Sequence, residues 1–309
     1  MTAAMNISNS SASRRWTVNG KYAILTGATS GIGLSAAREL ASRGANLGLI
    51  ARNPAKAQRV ADELGALTGG RSKVDVFIAD MASLASVRQA AEAILARCPS
   101  VDLLINNAGA LFDTHQVTAD GLEMTWAVNQ VAPFLLTHLL LPRLQASEEA
   151  RIINTASHGH KMAKRGIRFD DPGAEQLYRF PQSLLGGSTL RYAETKLANI
   201  LFTSELARRT AGTGVHAYCY DPGLVATNFN QNNGLLARMT MAVMNRFSRT
   251  PEQGAETLVW LADSEEVSGQ SGLYYVDRRI AKPAPPACDS NAARRLWDVN
   301  VRQASIGIE

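Results

Sequence analysis

Cysteine is scarce in this chain: three residues of 309, Cys98, Cys219 and Cys288, odd in number and far apart. With no CxxC pair and no Cys/His cluster, neither a disulfide framework nor a metal site is expected, and reduced thiols fit a cytoplasmic location. Long apolar runs are also lacking. The longest, Val131 to Leu141, is broken by Pro133, Thr137 and His138. It falls short of the roughly 20 residues needed to span a bilayer, so no integral membrane segment is expected, while peripheral membrane association stays open. Met1 to Arg15 is rich in Ser, Asn and Ala and has no apolar core of a secretory signal. An excess of one charge sign is missing too: 32 Lys+Arg stand against 27 Asp+Glu, a net +5. The excess is scattered, with no basic run, which argues against a nucleic-acid partner; an anionic phosphorylated cofactor would account for part of it.

What is present is an ordinary globular composition, 46% apolar and 19% charged. Short apolar runs recur at Tyr22–Leu25, Asn46–Ile50, Val74–Ile78, Val101–Ile105, Arg151–Asn154 and Val215–Tyr220. Between them lie segments of helical spacing, including Leu34–Arg43, Ser83–Arg97 and Leu122–Leu144. Strands alternating with helices predict an α/β fold, a doubly wound parallel sheet of Rossmann type with helices on both faces. Residues 1–18 read as a flexible tail and 19–309 as a single domain, since neither an internal repeat nor a low-complexity linker divides them. Two excursions interrupt the alternation, at about 158–188 and 228–250, and long loops in a compact domain are usually functional. The C-terminal segment Asn291–Gln303 reads as a helix.

The turn Thr26-Gly-Ala-Thr-Ser-Gly-Ile-Gly33 follows a strand and opens a helix. Glycines there let the backbone approach a pyrophosphate at a helix N-terminus, where unpaired N–H groups favour anions. The spacing of Gly27, Gly31 and Gly33 also suits any tight strand-to-helix turn, so the context carries the nucleotide reading. After the second strand comes Ala51-Arg52-Asn53, with no acid to hold a ribose 2′-hydroxyl. Arg52 suits a 2′-phosphate and points to NADP(H) over NAD(H), unless it is a solvated surface arginine. Asp80, after the third strand, suits the adenine amino group or the N-terminus of the helix that follows, or both.

Tyr192 and Lys196 stand four residues apart in a helical segment and share one face. An unperturbed phenol titrates near 10, and a neighbouring ammonium is expected to lower that value toward working pH. Ser157, at the end of the Arg151–Asn154 strand, is placed to donate to a substrate oxygen, or is a turn serine. Asn106-Asn-Ala-Gly109 ends the fourth strand, where Gly109 permits close approach to a cofactor ribose, or makes a simple turn. Asn129, inside an apolar helix, needs a partner and is expected to hold a water linking Lys196 to solvent.

Taken together and in this order, these motifs, with Asp221-Pro-Gly223, resemble the short-chain dehydrogenase/reductase family over roughly residues 18–280. Ala51-Arg-Asn53, Ala79 to Leu84, Tyr192 to Arg209, Asp221 to Thr227 and Arg249-Thr-Pro-Glu252 resemble its retinol dehydrogenase branch, shared with WW-domain oxidoreductases and protochlorophyllide reductases. The resemblance implies hydride transfer between a nicotinamide and a carbonyl or alcohol. It makes Tyr192 the acid/base, Lys196 its modulator and ribose ligand, Ser157 the group that polarises the substrate oxygen, and Asn129 part of a proton relay. The implied cofactor set is Gly27, Ser30, Gly31, Ile32, Gly33, Arg52, Asp80, Met81, Asn107, Ala108, Gly109, Tyr192, Lys196, Pro222, Gly223, Val225 and Thr227. A hydrophobic small-molecule substrate would meet the 158–188 and 228–250 segments, the latter with Met239, Met241, Met244 and Phe247. The 35-residue gap from Ser157 to Tyr192 exceeds the minimal family pattern, and no membrane anchor precedes residue 16, unlike several retinoid enzymes. A non-catalytic NADP(H)-sensing protein is the alternative, and the apolar helices leave a homodimer or homotetramer open.

Overall fold

The computed structural model describes residues 15–225 and 248–306. Eight strands form one sheet in the order β3-β2-β1-β4-β5-β6-β7-β8. They are β1 (Tyr22–Thr26), β2 (Asn46–Ala51), β3 (Val74–Ile78), β4 (Leu103–Asn106), β5 (Ala150–Thr155), β6 (Val215–Asp221), β7 (Leu273–Val276) and β8 (Arg279–Ile280). All neighbours pair in parallel except β7 and β8, which form an antiparallel edge. The six runs read from the sequence are the first six strands. The last two were not read, because Leu-Tyr-Tyr-Val and Arg-Ile are too short to show a period.

Side chains alternate across the strands because successive Cβ atoms point to opposite faces. Tyr22 and Ile24 enter one apolar cluster with Ala91, Ile94, Phe134, Leu140, Phe202 and Leu296. Ala23 and Leu25 enter the other, with Ala37, Leu40, Leu64, Leu258 and Leu261. Helices therefore cover both faces: α1 (Gly31–Ser42), α2 (Pro54–Thr68) and α6 (Pro251–Asp263) on one side, α3 (Leu84–Arg97), α4 (Met124–Gln145), α5 (Gly187–Arg209) and α7 (Ser290–Gln303) on the other. This is the doubly wound architecture expected of the sequence.

Within the stretch read as a tail, Trp16 and Val18 are buried. The Trp16 indole donates to Ala262 O at 2.7 Å and stacks on the Arg151 guanidinium, 4.1 Å from its ring centroid. The apolar stretch from Val131 lies within a longer helix, Met124–Gln145, which among the described residues is the one long and apolar enough to cross a membrane. Most of it is buried against the sheet, which gives its apolar sides a protein partner.

The strand order reverses between β1 and β4. Chain segments after these two strands diverge to opposite faces, and the crevice at their C-terminal ends is where open α/β sheets take ligands. The glycine-rich turn and the Asn107–Gly109 loop both lie there.

Candidate active site

The glycine turn is shaped by contacts no other residue would allow. Gly27 has φ +73°, and a Cβ on it would meet Ala108 Cα and Asn107 Nδ2 at 3.0 Å. A Cβ on Gly33 would lie 2.2 Å from Gly27 O. Thr26 ties the turn to the next loop, its Oγ1 accepting from the backbone N–H of Asn107 at 3.0 Å and of Ala108 at 2.9 Å. Asn107 donates its side-chain amide to Thr26 O at 3.1 Å. At the start of α1, Ser30 makes no side-chain cap and the first turn holds no acid. The amides of residues 31–33 are thus left to an anion.

The other cofactor candidates gather at the same sheet edge. Arg52 is exposed, directly after β2. Asp80 accepts from Ala82 N at 3.0 Å, while Ser83 caps α3, so Asp80 shapes the loop ahead of the helix cap. Met81 follows it, half-buried against the core. The Asp221-Pro-Gly223 turn is closed by Gly223 N donating to Asp221 Oδ1 at 2.9 Å. Val225 packs near Ile32, since a Cβ on Gly254 would meet Val225 Cγ2 at 2.6 Å and Ile32 Cγ1 at 3.2 Å. Thr227, Met239, Met241, Met244 and Phe247 lie outside the described residues.

Lys196 is buried and donates to Thr155 O at 2.8 Å. It is 3.4 Å from Asn199 Oδ1. Its Nζ stands 5.6 Å from the Tyr192 ring centroid. Ser157 hydrogen-bonds with the Tyr192 hydroxyl, and its Oγ also accepts from Gly159 N at 3.1 Å. Ser157, Tyr192 and Lys196, spread over forty positions of sequence, therefore meet around one spot. Gly109 faces them: a Cβ there would lie 3.5 Å from Lys196 Nζ.

The electrostatics differ from the expectation. Burial pushes the Tyr192 phenol well above its ordinary value, the Ser157 hydrogen bond pulls it partway back, and Asp221 pushes it up again. Burial lowers Lys196 to about 8, opposed by Cys219 and Asp221. The expected depression of Tyr192 by Lys196 is therefore not the state seen here. Both groups are out of water, and desolvation favours the neutral form of each.

The Asn129 side chain is held by protein partners. Its Oδ1 accepts from Ala110 N and its Nδ2 donates to Ala110 O, both at 2.8 Å, and Nδ2 donates to Thr195 Oγ1 at 3.1 Å. The side chain thereby grips the loop behind Gly109. Its main-chain carbonyl accepts from Asn199 Nδ2 at 2.9 Å. Asn199, which nothing in the sequence singled out, thus touches both Asn129 and Lys196.

Three further buried groups had no role assigned from the sequence. Asp221 is buried and accepts from the Tyr274 hydroxyl at 3.0 Å. His160, fully buried, bonds Ser157 O through Nδ1 at 2.8 Å and accepts from Ala284 N at Nε2, 3.1 Å. Arg191, beside Tyr192, donates to Glu123 at 2.8 Å and Glu194 at 3.1 Å, all three buried. It also bonds Pro172 O, and Tyr178 donates to Glu123 at 3.0 Å. The 158–188 excursion is thus fastened to α5 beside Tyr192. Near the Ser157 turn, a recess of about 550 Å³ is lined by Lys161, Lys164, Pro283, Ala284, Pro285 and Pro286.

This sheet order, with a glycine turn at the reversal point and a Ser–Tyr–Lys cluster beside it, defines a dinucleotide-dependent oxidoreductase of the short-chain type. A family model described as short chain dehydrogenase matches residues 21–167. The chain belongs to the short-chain dehydrogenase/reductase family, and its likeness within it is to retinol dehydrogenases. Retinol dehydrogenase 11 of Mus musculus is 39% identical over 281 residues, covering 91% of this chain and 85% of that one. Retinol dehydrogenase 14 of Homo sapiens is 38% identical over 299 residues, with 92% and 86% covered. Among solved structures, an uncharacterized protein from Mycobacterium Paratuberculosis superposes with TM-score 0.72 at 28% identity, covering 94% of this chain and 96% of that one. L-Sorbose reductase from Gluconobacter frateurii, solved with NADPH and L-sorbose, has TM-score 0.64 at 23% identity, covering 87% and 99%, and shares the fold. The family fold implies a nicotinamide dinucleotide, NAD(P)(H). The residues present fit one: the uncapped α1 N-terminus suits a diphosphate, and Gly109, with no side chain beside Lys196 Nζ, leaves the ammonium open to a ribose.

Proposed function

We propose that this chain is an NADP(H)-dependent oxidoreductase that interconverts a carbonyl and an alcohol on a hydrophobic small molecule. The meeting of the Ser157 and Tyr192 hydroxyls beside the Lys196 ammonium carries this reading. When bound, the nicotinamide supplies or accepts the hydride. Gly27, Ser30, Gly31, Ile32 and Gly33 would hold its diphosphate, and Pro222, Gly223 and Val225 would line the nicotinamide and diphosphate. Asn107, Ala108, Gly109, Tyr192 and Lys196 would line the nicotinamide ribose, and Asp80 and Met81 the adenine.

Ser157 donates to the substrate oxygen and orients it. In reduction Tyr192 gives its hydroxyl proton to that oxygen as the carbon gains hydride. In oxidation its phenolate takes the alcohol proton. Burial keeps Tyr192 protonated at neutral pH, the form that reduction needs. Lys196 supplies positive charge next to the developing phenolate. Arg52 supports NADP(H), since it is exposed directly after β2 and no acid accompanies it. The relatives' names support an apolar substrate. The test is oxidation of NADPH by purified protein with a panel of apolar aldehydes and ketones, retinal among them. Wild type turns over at least one, and Tyr192→Phe loses that activity by about 10²-fold or more; a Tyr192→Phe protein as active as wild type overturns the mechanism.

A further inference from the structure

The Lys196 ammonium has three protons to place. One goes to Thr155 O at 2.8 Å, and a second is directed at Asn199 Oδ1, 3.4 Å away. Two fixed acceptors on a tetrahedral ammonium set the direction of the third. Thr155 belongs to β5 and is rigid backbone. Asn199 is a side chain, and what holds it decides where the charge stands.

Asn199 is held by an irregularity in the neighbouring helix. Residues Ala127–Val131 form a π-helical stretch, and the residue four positions beyond Asn129 is Pro133. Proline has no N–H, so the donor that an α-helix would supply to the Asn129 carbonyl is missing. Asn199 supplies it, donating Nδ2 to Asn129 O at 2.9 Å and to Gln130 Oε1 at 3.1 Å. With its nitrogen fastened at two points, the carboxamide has one orientation left, and its oxygen is turned to Lys196.

We propose that Asn199 is the positioning residue of Lys196. Its carboxamide, clamped by the Asn129 carbonyl that Pro133 frees and by Gln130, fixes the ammonium and aims its third proton at the space opposite Gly109. This rests on Tyr192 and Lys196 being the acid/base pair, and it makes α4 part of that machinery. The other titratable groups facing Lys196 are Tyr192 on α5 and Cys219 and Asp221 on β6.

The test reads Lys196 itself, in the protein without cofactor. Competitive acylation of the folded protein across the neutral to alkaline range, quantified by mass spectrometry, gives the midpoint at which Lys196 loses its proton. Asn199→Ala removes an acceptor, so the midpoint falls and NADPH binds roughly tenfold more weakly. Asn199→Asp puts a carboxylate against the ammonium, so the midpoint rises. Pro133→Ala restores a competing helical donor for the Asn129 carbonyl, and the midpoint falls by less than in Asn199→Ala. A merely structural asparagine lowers the melting temperature without moving the midpoint in opposite directions. An unmoved midpoint, or shifts of one sign in Asn199→Ala and Asn199→Asp, overturns the proposal. If neither Asn199 variant folds, an unmoved midpoint in Pro133→Ala overturns it. Failure of the acid/base reading is seen separately, as activity retained by Tyr192→Phe.

Discussion

Gly109 faces Lys196 across a gap that a single methyl group would fill: a Cβ on Gly109 would lie 3.5 Å from Lys196 Nζ and 3.3 Å from Asn129 Oδ1. The backbone there does not need glycine, since no positive φ is involved. Gly109→Ala is therefore expected to weaken NADPH binding while leaving the melting temperature nearly unchanged. Fluorescence titration beside thermal unfolding checks it. Binding equal to wild type would show that the cofactor does not use this gap.

Arg52 is exposed and follows β2 without an acidic neighbour. A charge-assisted hydrogen bond to a 2′-phosphate is worth about 1.5–3 kcal/mol. Arg52→Ser should raise the KM for NADPH by roughly 10- to 100-fold and leave that for NADH within about twofold. Parallel kinetics with the two cofactors decide it, and an equal effect on both refutes the 2′-phosphate contact.

His160 is locked in one tautomer. Ala284 donates its N–H to Nε2, so Nε2 is bare and Nδ1 carries the proton given to Ser157 O. Burial holds this imidazole below its ordinary value; Asp221 opposes that, while Lys161 and His158 reinforce it, and the Tyr274 ring packs edge-on. The unfolded chain then takes up this proton first as pH falls. Stability from His160 is intact above about 6.5 and declines below it until the folded form is also protonated. Urea unfolding midpoints across the acid range should slope in wild type and less in His160→Leu. His160→Leu should cost about 1–3 kcal/mol at neutral pH through the Ala284 N–H and Ser157 C=O left unpaired. Identical slopes in the two proteins would remove His160 from the account.

Arg191 neutralises Glu123 and Glu194 out of contact with water. Burial raises Glu194, and the guanidiniums of Arg191 and Arg168 pull it down. Arg191→Leu takes the buried cation from Glu123, leaves Glu194 with Arg168 at 3.4 Å and frees Pro172 O, so a loss of about 3–5 kcal/mol is expected. Because Arg191 fastens the 158–188 excursion, the substrate KM should rise with it. Chemical denaturation and kinetics at a permissive temperature test both, and a loss under about 1 kcal/mol would mean the cluster is hydrated.

The legible part of the site was the part encoded locally. Tyr192 and Lys196 advertise themselves through four-residue spacing, and Gly27, Gly31 and Gly33 through a strand-to-helix turn. The first six strands were legible because each is an apolar run between turn signals. Asn199 was not, although it is three residues from Lys196, because an asparagine on a helix looks the same whether solvated or clamped. Its meaning depends on the Asn129 carbonyl, seventy positions away in sequence. Arg191 and Glu123 carried no local sign of their pairing for the same reason.

By itself, the sequence determined the alternation of strands and helices and which residue types could carry hydride-transfer chemistry, since periodicity and glycine placement are properties of neighbours along the chain. Only the tertiary structure decided the electrostatic state of the Tyr–Lys pair and the partners of Asn129. Burial depends on everything packed around a group, and here desolvation raises Tyr192 and lowers Lys196, whose nitrogen stands 5.6 Å from the tyrosine ring.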